Sequence, residues 1–503
     1  MKYSKAAIKL LVERYCSKNE IPADVYPRVA KTIAKHTPGR NNHTRVLEKE
    51  YREMMVNLDF LPNSPCLRNA GFGNMNKACY VLPVPDSIPG IYKALLESAQ
   101  IFKMGGGCGY LFSDLRERGA PLSAGGQSSG MLSFMNMFNA STEAVKQGGF
   151  RRGASMGTSE YDHPEIINFI QEKAKFGRLN NFNISVLIDN DFMKRVETND
   201  DVHLKSRWDR RRTVRTMKAH DIFNLITLYA WDNGDPGLLF LDRINKDNPE
   251  YPKNVIRATN PCGEVPLFPY ESCCLGSINL SRCVQDNDVD MGKLDYLIEK
   301  GTYFLMGMNK STKFPIQECY EAQNKYFRLG LGVMGYADML MKMHIYYDSK
   351  EAMRVIDKIG RRLQKSSKYA PLSVATLSIA PTGSLSILAD CSSGIEPIFA
   401  PEYDRHVTDG VFREKREGEY LRTAHEVSPD WHLKTLARWQ KWIDNGVSKT
   451  VNLPFEASQS DVAKVYRDAW KMGCKGITVY RDGCRGEDQV YRKVSCEGDS
   501  CYL

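Results

Sequence analysis

Asn260-Pro261-Cys262-Gly263-Glu264, followed by Pro269-Tyr270-Glu271-Ser272-Cys273-Cys274-Leu275-Gly276-Ser277-Ile278-Asn279-Leu280, is the stretch on which the reading of this chain turns. An extended segment projects alternate residues to one side. Asn260, Cys262 and Glu264 then hold an amide, a thiol and a carboxylate toward one ligand. From Asp247 to Asn279 the chain is rich in Pro, Gly, Asn and Cys and lacks helical periodicity, which is the composition of an irregular functional loop.

Outward from that loop, apolar residues recur at helical spacing over 23–34, 46–58, 88–104, 131–146, 166–175 and 222–231, so much of the first half is helical. Short β-type runs fall at 78–84, 183–187, 238–241, 277–280 and 375–380. Their alternation with helices points to α/β architecture. Asp162-His163-Pro164-Glu165 reads as a helix start, with proline at the first helical position and acid in the first turn, which makes His163 a neighbour of the cap and not a metal ligand.

With 503 residues, 42% hydrophobic and 26% charged, the chain has the balance of an ordinary globular protein. A length prior of roughly one domain per 150 residues allows about three units, but no linker or low-complexity stretch divides the sequence. One dominant body with smaller attachments is expected. The charged, amphipathic start and the lack of an apolar run near ~18 residues exclude an export signal and a membrane span, and the expected location is the cytoplasm. Fourteen cysteines in a reducing compartment speak for metal or redox chemistry. No CxxC pair is present, against a zinc ribbon, and no CxxxCxxC, against an iron–sulfur radical initiator; no metal site is expected. A net charge of +9 suits phosphate-bearing ligands but does not indicate nucleic acid, and the basic stretch Arg207 to Arg215 reads as a solvated face.

Further motifs carry chemistry. Ala380-Pro381-Thr382-Gly383-Ser384 follows a β-type run and offers hydroxyls and a small residue where a turn can cradle an anion. Gly105-Gly106-Gly107-Cys108-Gly109 and Lys146-Gln147-Gly148-Gly149-Phe150-Arg151-Arg152-Gly153 are glycine-rich, and glycines permit two backbone arrangements, as a switch requires. Cys496-Glu497-Gly498-Asp499-Ser500-Cys501 is a C-x4-C pair in a polar tail.

The loop motif closely resembles the finger loop of ribonucleotide reductase catalytic subunits, and the resemblance runs from about Leu61 to Gly483. It implies a ten-stranded α/β barrel of two antiparallel-joined five-stranded halves, with a central finger loop carrying a radical cysteine, plus an N-terminal helical region. The expected division is 1–60 for the helical segment, 61–484 for the barrel with the effector-site helices, and 485–503 for a flexible redox tail. By that resemblance Cys262 holds a thiyl radical and takes the 3′-hydrogen of the ribose, Glu264 takes the 3′-hydroxyl proton, and Asn260 hydrogen-bonds the sugar. Cys79, in Lys77-Ala78-Cys79-Tyr80-Val81-Leu82-Pro83, and Cys273 supply two electrons and close a disulfide in each turnover. Cys274 stands where the family more often has another residue, so the sequence leaves open which of the adjacent pair closes that bond. Cys496 and Cys501 resemble the family's tail shuttle, recharged by a thioredoxin-like reductant.

The same resemblance assigns substrate contacts to Ser64, Ala78, Pro381, Thr382, Gly383 and Ser384, with Ser392-Ser393-Gly394-Ile395-Glu396-Pro397 continuing the pattern and Cys66 replacing the usual threonine near Ser64. It assigns effector contacts for dNTP or ATP to Asp86, Ser87, Ile88, Lys103, Lys146, Gln147 and Arg151, and implies a homodimer. The first sixty residues are too short for an added ATP-binding domain, which implies control of specificity without an overall on/off site.

Lys475-Gly476-Ile477-Thr478-Val479-Tyr480-Arg481-Asp482-Gly483, Tyr270-Glu271-Ser272-Cys273 and Gly330-Leu331-Gly332-Val333-Met334-Gly335 are similar to the adenosylcobalamin-dependent class II enzymes. The tandem Tyr346-Tyr347 lies before the phosphate turn, out of place for a class I tyrosine relay. The expected reaction is reduction of ribonucleotides, as diphosphates, to 2′-deoxyribonucleotides. Two other readings stay open: a class I large subunit needing a metal-containing partner, and an inactive nucleotide-binding regulator.

Overall fold

The computed structural model describes residues 3–39, 43–145, 153–174, 178–407, 410–484 and 491–493. The chain begins with helices α1 (Lys5–Leu10), α2 (Pro22–Ala34) and α3 (Thr44–Val56). Pro22 opens α2, and the Asp24 carboxylate accepts from the Ile21 N–H at 3.1 Å, so the helix starts where its first free donors find a partner. Its buried Val25, Tyr26, Val29, Ala30 and Ile33 repeat at three and four residues, the stripe that packs against α3 and the barrel.

The strand β1 (Phe60–Pro62) and the short helix α4 (Ser64–Asn69) lead into the barrel. Five strands, β2 (Cys79–Pro83), β3 (Gly107–Leu111), β4 (Ser155–Glu160), β5 (Phe182–Ile188) and β6 (Gly237–Phe240), lie parallel in chain order. Helix α5 (Ile88–Lys103) lies between β2 and β3 and α6 (Met131–Val145) between β3 and β4, and the two pack on each other. Ser87 caps α5 by accepting from the Gly90 N–H at 3.2 Å.

The second half contains β7 (Ser272–Asn279), β8 (Leu329–Met334), β9 (Thr450–Leu453) and β10 (Gly476–Arg481). β7 pairs parallel with β8, and β9 with β10. Two antiparallel seams join the halves, β2 with β7 and β6 with β10. Between β8 and β9 runs the segment 375–380, expected as a strand. It forms isolated parallel bridges, Leu377 to Leu331 and Ile379 to Val447, because it divides its backbone groups between neighbours on both sides. The Leu331 N–H bonds Thr376 O at 2.8 Å, and the Ile379 N–H bonds Gly446 O at 3.2 Å. With that segment as the middle member, the ring holds two parallel five-strand halves in opposite sense, the barrel that the resemblance implies.

Three local expectations need correction. The strand expected at 277–280 begins at Ser272, inside the stretch read as irregular. Its Ser, Cys, Gly and Asn residues have little intrinsic β preference, but all eight positions are buried and the strand has partners along both edges, so tertiary pairing decides. Arg207 is not part of a solvated face. It lies in the loop that joins the strands Asp201–Lys205 and Thr213–Lys218, and its guanidinium turns in to bond Glu160 at 3.1 Å and Asp162 at 2.5 Å. The helix expected to start at Pro164 starts at Ile166 with Glu165 as its cap residue, because Glu165 Oε2 is spent on the Met131 and Arg118 N–H groups. His163, two residues before that cap, is buried, its Nδ1 accepting from the Glu165 N–H at 3.0 Å, and burial lowers its pKa to about 4. Among the described residues no helix is long and apolar enough to cross a membrane.

Candidate active site

The loop opening this account is a small hairpin threaded into the barrel. Ala258–Thr259 pairs antiparallel with Pro266–Leu267, and residues 260–265 form its tip. The Asn260 side chain shapes the tip, its Oδ1 accepting from the Val265 N–H at 2.9 Å. The Gly263 N–H closes the turn on Asn260 O at 3.0 Å, with Gly263 at φ +79°. Both barrel halves hold this hairpin. From the first, Asn183 Nδ2 donates to Pro261 O at 2.8 Å and Thr158 Oγ1 to Arg257 O at 3.3 Å. From the second, the Gly446 N–H reaches Glu264 O at 2.7 Å and Ser378 Oγ the same oxygen at 3.0 Å. Gly109 of β3 lets it pass: a Cβ there would lie 1.7 Å from Thr259 O.

This support brings the expected residues together. Cys79 and Cys273 face each other as register partners at the β2–β7 seam. Asn260 Nδ2 lies 3.2 Å from Cys79 Sγ. The Cys79 thiol is pushed well above its ordinary pKa by burial, and further by Glu264, Cys273 and Cys262, with the Asn260 bond acting the other way. Burial likewise raises Cys273, while Lys77 and Arg328 pull it down. Both sulfurs are therefore thiols near neutral pH. Alternation along β7 turns Cys273 inward, into a small apolar cluster with Ala78, Cys79, Val81, Ala258 and Val265. Cys274 turns outward to the main core, near Lys77 and Cys66, with its thiol pushed up to about 11.

Cys262, at the tip, is exposed, whereas Asn260 and Glu264 are buried. It opens on a cavity of about 520 Å³ lined also by Pro381, Gly383, Ser393, Arg405 and the β10 residues Ile477 to Tyr480. Of the residues expected to meet substrate phosphate, Pro381 and Gly383 line this cavity. Thr382 is buried at φ +54°, its hydroxyl accepting from the Gly394 N–H at 2.8 Å. Ala78 is buried in the dithiol cluster, its carbonyl accepting from the Gly107 N–H at 2.7 Å. Ser64 and Ser384 are half-buried, with side-chain bonds to Tyr15 at 2.9 Å and to Arg14 at 2.5 Å.

The expected effector residues lie on a different surface, around the start of α5. The Asp86 carboxylate pairs with Arg116 at 2.7 Å, and the Arg116 guanidinium sits 4.6 Å from the centre of the Trp208 ring. Ser87 is the cap, Ile88 is exposed, and Lys103 ends the helix. Lys146, Gln147 and Arg151, and the tail cysteines Cys496 and Cys501, lie outside the described residues. Among the described residues no group of three or more His, Cys, Asp or Glu is arranged to hold a metal ion.

Two further groups were not singled out from the sequence. Arg328 forms a buried ion pair with Glu271, at 2.5 Å, and donates to Asn445 at 2.8 Å, tying β8 and the 445–447 segment to the start of β7. Lys77 is fully buried, bonded to Gln323 and to Ser272 O. Arg328 carried no local sequence signal, because its partner is 57 residues away. Lys77 was visible only as the start of the Cys79 motif.

The model of the ribonucleotide reductase barrel domain matches residues 77–376 and 413–480, and that of the ribonucleotide reductase all-alpha domain matches residues 1–74. A vitamin B12-dependent ribonucleoside-diphosphate reductase of Thermoplasma acidophilum is 40% identical over 498 residues, covering 86% of this chain and 65% of that protein. A Mycobacterium tuberculosis protein of the same description is 36% identical over 563 residues, covering 97% of this chain and 81% of the relative. A vitamin B12-dependent ribonucleotide reductase of Streptomyces coelicolor is 26% identical, covering 94% of this chain and 64% of its own length. The chain thus spans between about two thirds and four fifths of these relatives.

Proposed function

Because the chain belongs to the ribonucleotide reductase large-subunit family, we propose that it reduces ribonucleoside diphosphates to 2′-deoxyribonucleotides with adenosylcobalamin as cofactor. The observation that carries this reading is the grouping of Cys79, Cys273, Asn260 and Glu264 behind the exposed Cys262. The relatives with which it shares 40% and 36% identity are both described as vitamin B12-dependent diphosphate reductases.

The residues present fit the reactive part of such a cofactor. Among the described cysteines Cys262 is the exposed one, and it opens on a cavity of about 520 Å³, room for the adenosyl part of the group beside the thiol and not for the whole corrin. Pro261, Cys262 and Gly263 on one side, and Ile477 to Tyr480 of β10 on the other, would hold the reactive part of the group. Adenosylcobalamin supplies, when bound, the one-electron oxidising equivalent that starts the reaction.

Cys262, oxidised to a thiyl, takes the hydrogen atom from C3′ of the ribose. Glu264 accepts the 3′-hydroxyl proton, and Asn260, already tied to Cys79 and to its own turn, keeps the sugar and the dithiol in register. The 2′-hydroxyl then leaves as water. One thiol hydrogen of the Cys79/Cys273 pair departs with it and the other ends on C2′, while the two electrons come from closure of the S–S bond. The raised pKa of Cys79 serves this step, because an acid must hold its proton until the hydroxyl departs. Cys262 returns its hydrogen atom to C3′, and Glu264 its proton.

The remaining parts follow the same reading. The strand Tyr491–Lys493 pairs with Tyr403–Arg405, and Tyr403 and Arg405 line the cavity, which Cys496 and Cys501 would recharge from a thioredoxin-like reductant. Nucleotide effectors would bind at Asp86 and Ser87, next to Arg116. Ile88, Tyr92 and Leu96 expose an apolar stripe at four-residue spacing on α5, the face that a homodimer would cover. The reducing, nucleotide-rich cytoplasm suits all of these partners.

The test is an anaerobic assay of CDP reduction with adenosylcobalamin and dithiothreitol and no second protein. Turnover supports the proposal. Silence relieved by a metal-containing small subunit would mean a class I enzyme, and CDP binding without reduction under either condition would mean a regulator.

A further inference from the structure

We propose that two buried arginines, Arg14 of the N-terminal helical region and Arg405 of the strand Glu402–Val407, form a cationic cradle behind the turn 381–384 and set the affinity for the substrate's diphosphate. This inference rests on the nucleotide reading above and adds residues that the motifs did not mark.

Arg14 is 6% exposed, and its Nη1 donates to Ser384 Oγ at 2.5 Å. The next residue, Tyr15, shares a 2.9 Å hydrogen bond with Ser64 Oγ. Two consecutive residues of the N-terminal region thus reach Ser384 and Ser64, the two serines that the resemblance assigns to the substrate. From the other direction Arg405, 3% exposed, donates through Nη1 to Ser386 Oγ at 3.0 Å and through Nη2 to Ser393 Oγ at 2.9 Å. Glu414 pairs with it at 3.1 Å and fixes its orientation. Arg405, Ser393, Pro381 and Gly383 all line the cavity that holds Cys262.

A buried guanidinium is costly and is kept where its charge and planar set of donors meet an anion or its carriers. A hydroxyl accepting from a guanidinium keeps its own hydrogen to give, and is polarised toward giving it. Ser384 is placed in this way by Arg14, one residue beyond Gly383, which lines the cavity, so a phosphate seated on the turn would meet its O–H. Arg14 acts through Ser384 and is a positioning residue, whereas Arg405 borders the cavity itself. On this reading the N-terminal helical region builds one wall of the substrate site.

The test compares the full-length wild type with Arg14→Gln, Arg14→Lys and Ser384→Ala. CDP and cytidine are each titrated calorimetrically into cofactor-free protein, and KM and kcat for CDP are then measured with cofactor. Arg14→Gln should weaken CDP roughly tenfold, the scale of one charge-assisted hydrogen bond, and leave cytidine within about twofold. Arg14→Lys should recover most of the loss, and KM should rise while kcat changes less. Equal weakening of CDP and cytidine, or no weakening of CDP, would overturn the cradle. Should Arg14→Gln fail to fold, Ser384→Ala decides, because it must show the same loss selective for CDP, and a loss that is equal or absent overturns the proposal. If the wild type binds CDP with this pattern but reduces none, the reductase reading fails and the cradle stands. If it reduces CDP and the variants bind CDP normally, the cradle alone fails, and absence of CDP binding by the wild type rejects both.

Discussion

Cys79 and Cys273 are direct register partners at the antiparallel seam where one parallel half of the barrel meets the other. Their backbones are held by the sheet, so the sulfurs can join or part without the strands moving far. The finger hairpin then has one task, to bring Cys262 and the Asn260 and Glu264 side chains to that fixed pair.

The two thiols should behave as one unit. Cys79→Ser and Cys273→Ser should each lower multiple-turnover CDP reduction by at least ~10³-fold, and the double variant should be no slower than either single one. Rate measurements on the three variants check this, and independent, multiplying losses would speak against a shared disulfide.

Glu264 is asked to accept a proton only in the reacting complex. Glu264→Gln should therefore lower kcat by roughly 10²–10⁴-fold with little change in CDP affinity. Calorimetric binding measured beside steady-state kinetics separates the two, and a variant that loses affinity but keeps kcat would remove Glu264 from this role.

The hairpin's passage through the barrel depends on Gly109. A Cβ there would lie 1.7 Å from Thr259 O, whereas one on Gly263, at φ +79°, would meet nothing within 4 Å. Gly109→Ala should displace the hairpin, abolish reduction and cost about 3 kcal/mol or more in denaturant unfolding. Gly263→Ala should cost only about 1 kcal/mol, from backbone strain. The reverse order would show that the hairpin does not pack on β3.

Stability should fall on the acid side. His163 is buried and its pKa is lowered to about 4, from 6.5. The unfolded chain therefore binds a proton there first, and this contribution is intact above pH 6.5 and lost as the pH falls through about 4. His432 is shifted in the same direction by burial and by Lys449. Unfolding measured across this range should show the decline, and His163→Gln should be less stable at pH 7 with a shallower pH dependence.

How much was legible follows from what each feature depends on. Helices such as α2, α3, α5 and α6 declare themselves by local periodicity and caps, and the structure has them within a few residues of the expected limits. The grouping Asn260, Cys262, Glu264 is local too, written in five consecutive residues, although a turn closed on Asn260 O presents it and not the extended alternation expected, so Cys262 is exposed where Asn260 and Glu264 are buried. β7 was only half seen, because its small polar residues are made into a strand by neighbours on both edges. The segment 375–380 has strand composition but shares its bonds between two partners. Arg207 looked solvated among other arginines, and nothing local announces that Glu160 and Asp162 wait for it. Arg14 and Ser384 are 370 residues apart, and no reading of spacing brings them together. The orientation of Cys273 and Cys274 needed only the strand's phase, which the sequence could not supply while the start of the strand was misplaced.

The most direct measurement is a single anaerobic turnover. The fully reduced protein is mixed with adenosylcobalamin and excess CDP without reductant, quenched in acid with an alkylating agent, and its peptides are mapped by mass spectrometry. The account predicts one Cys79–Cys273 disulfide formed for each deoxycytidine diphosphate produced, in protein whose tail cysteines are replaced by serine. Product formed while Cys79 and Cys273 remain alkylatable thiols, or a stoichiometric disulfide between other cysteines, would contradict it.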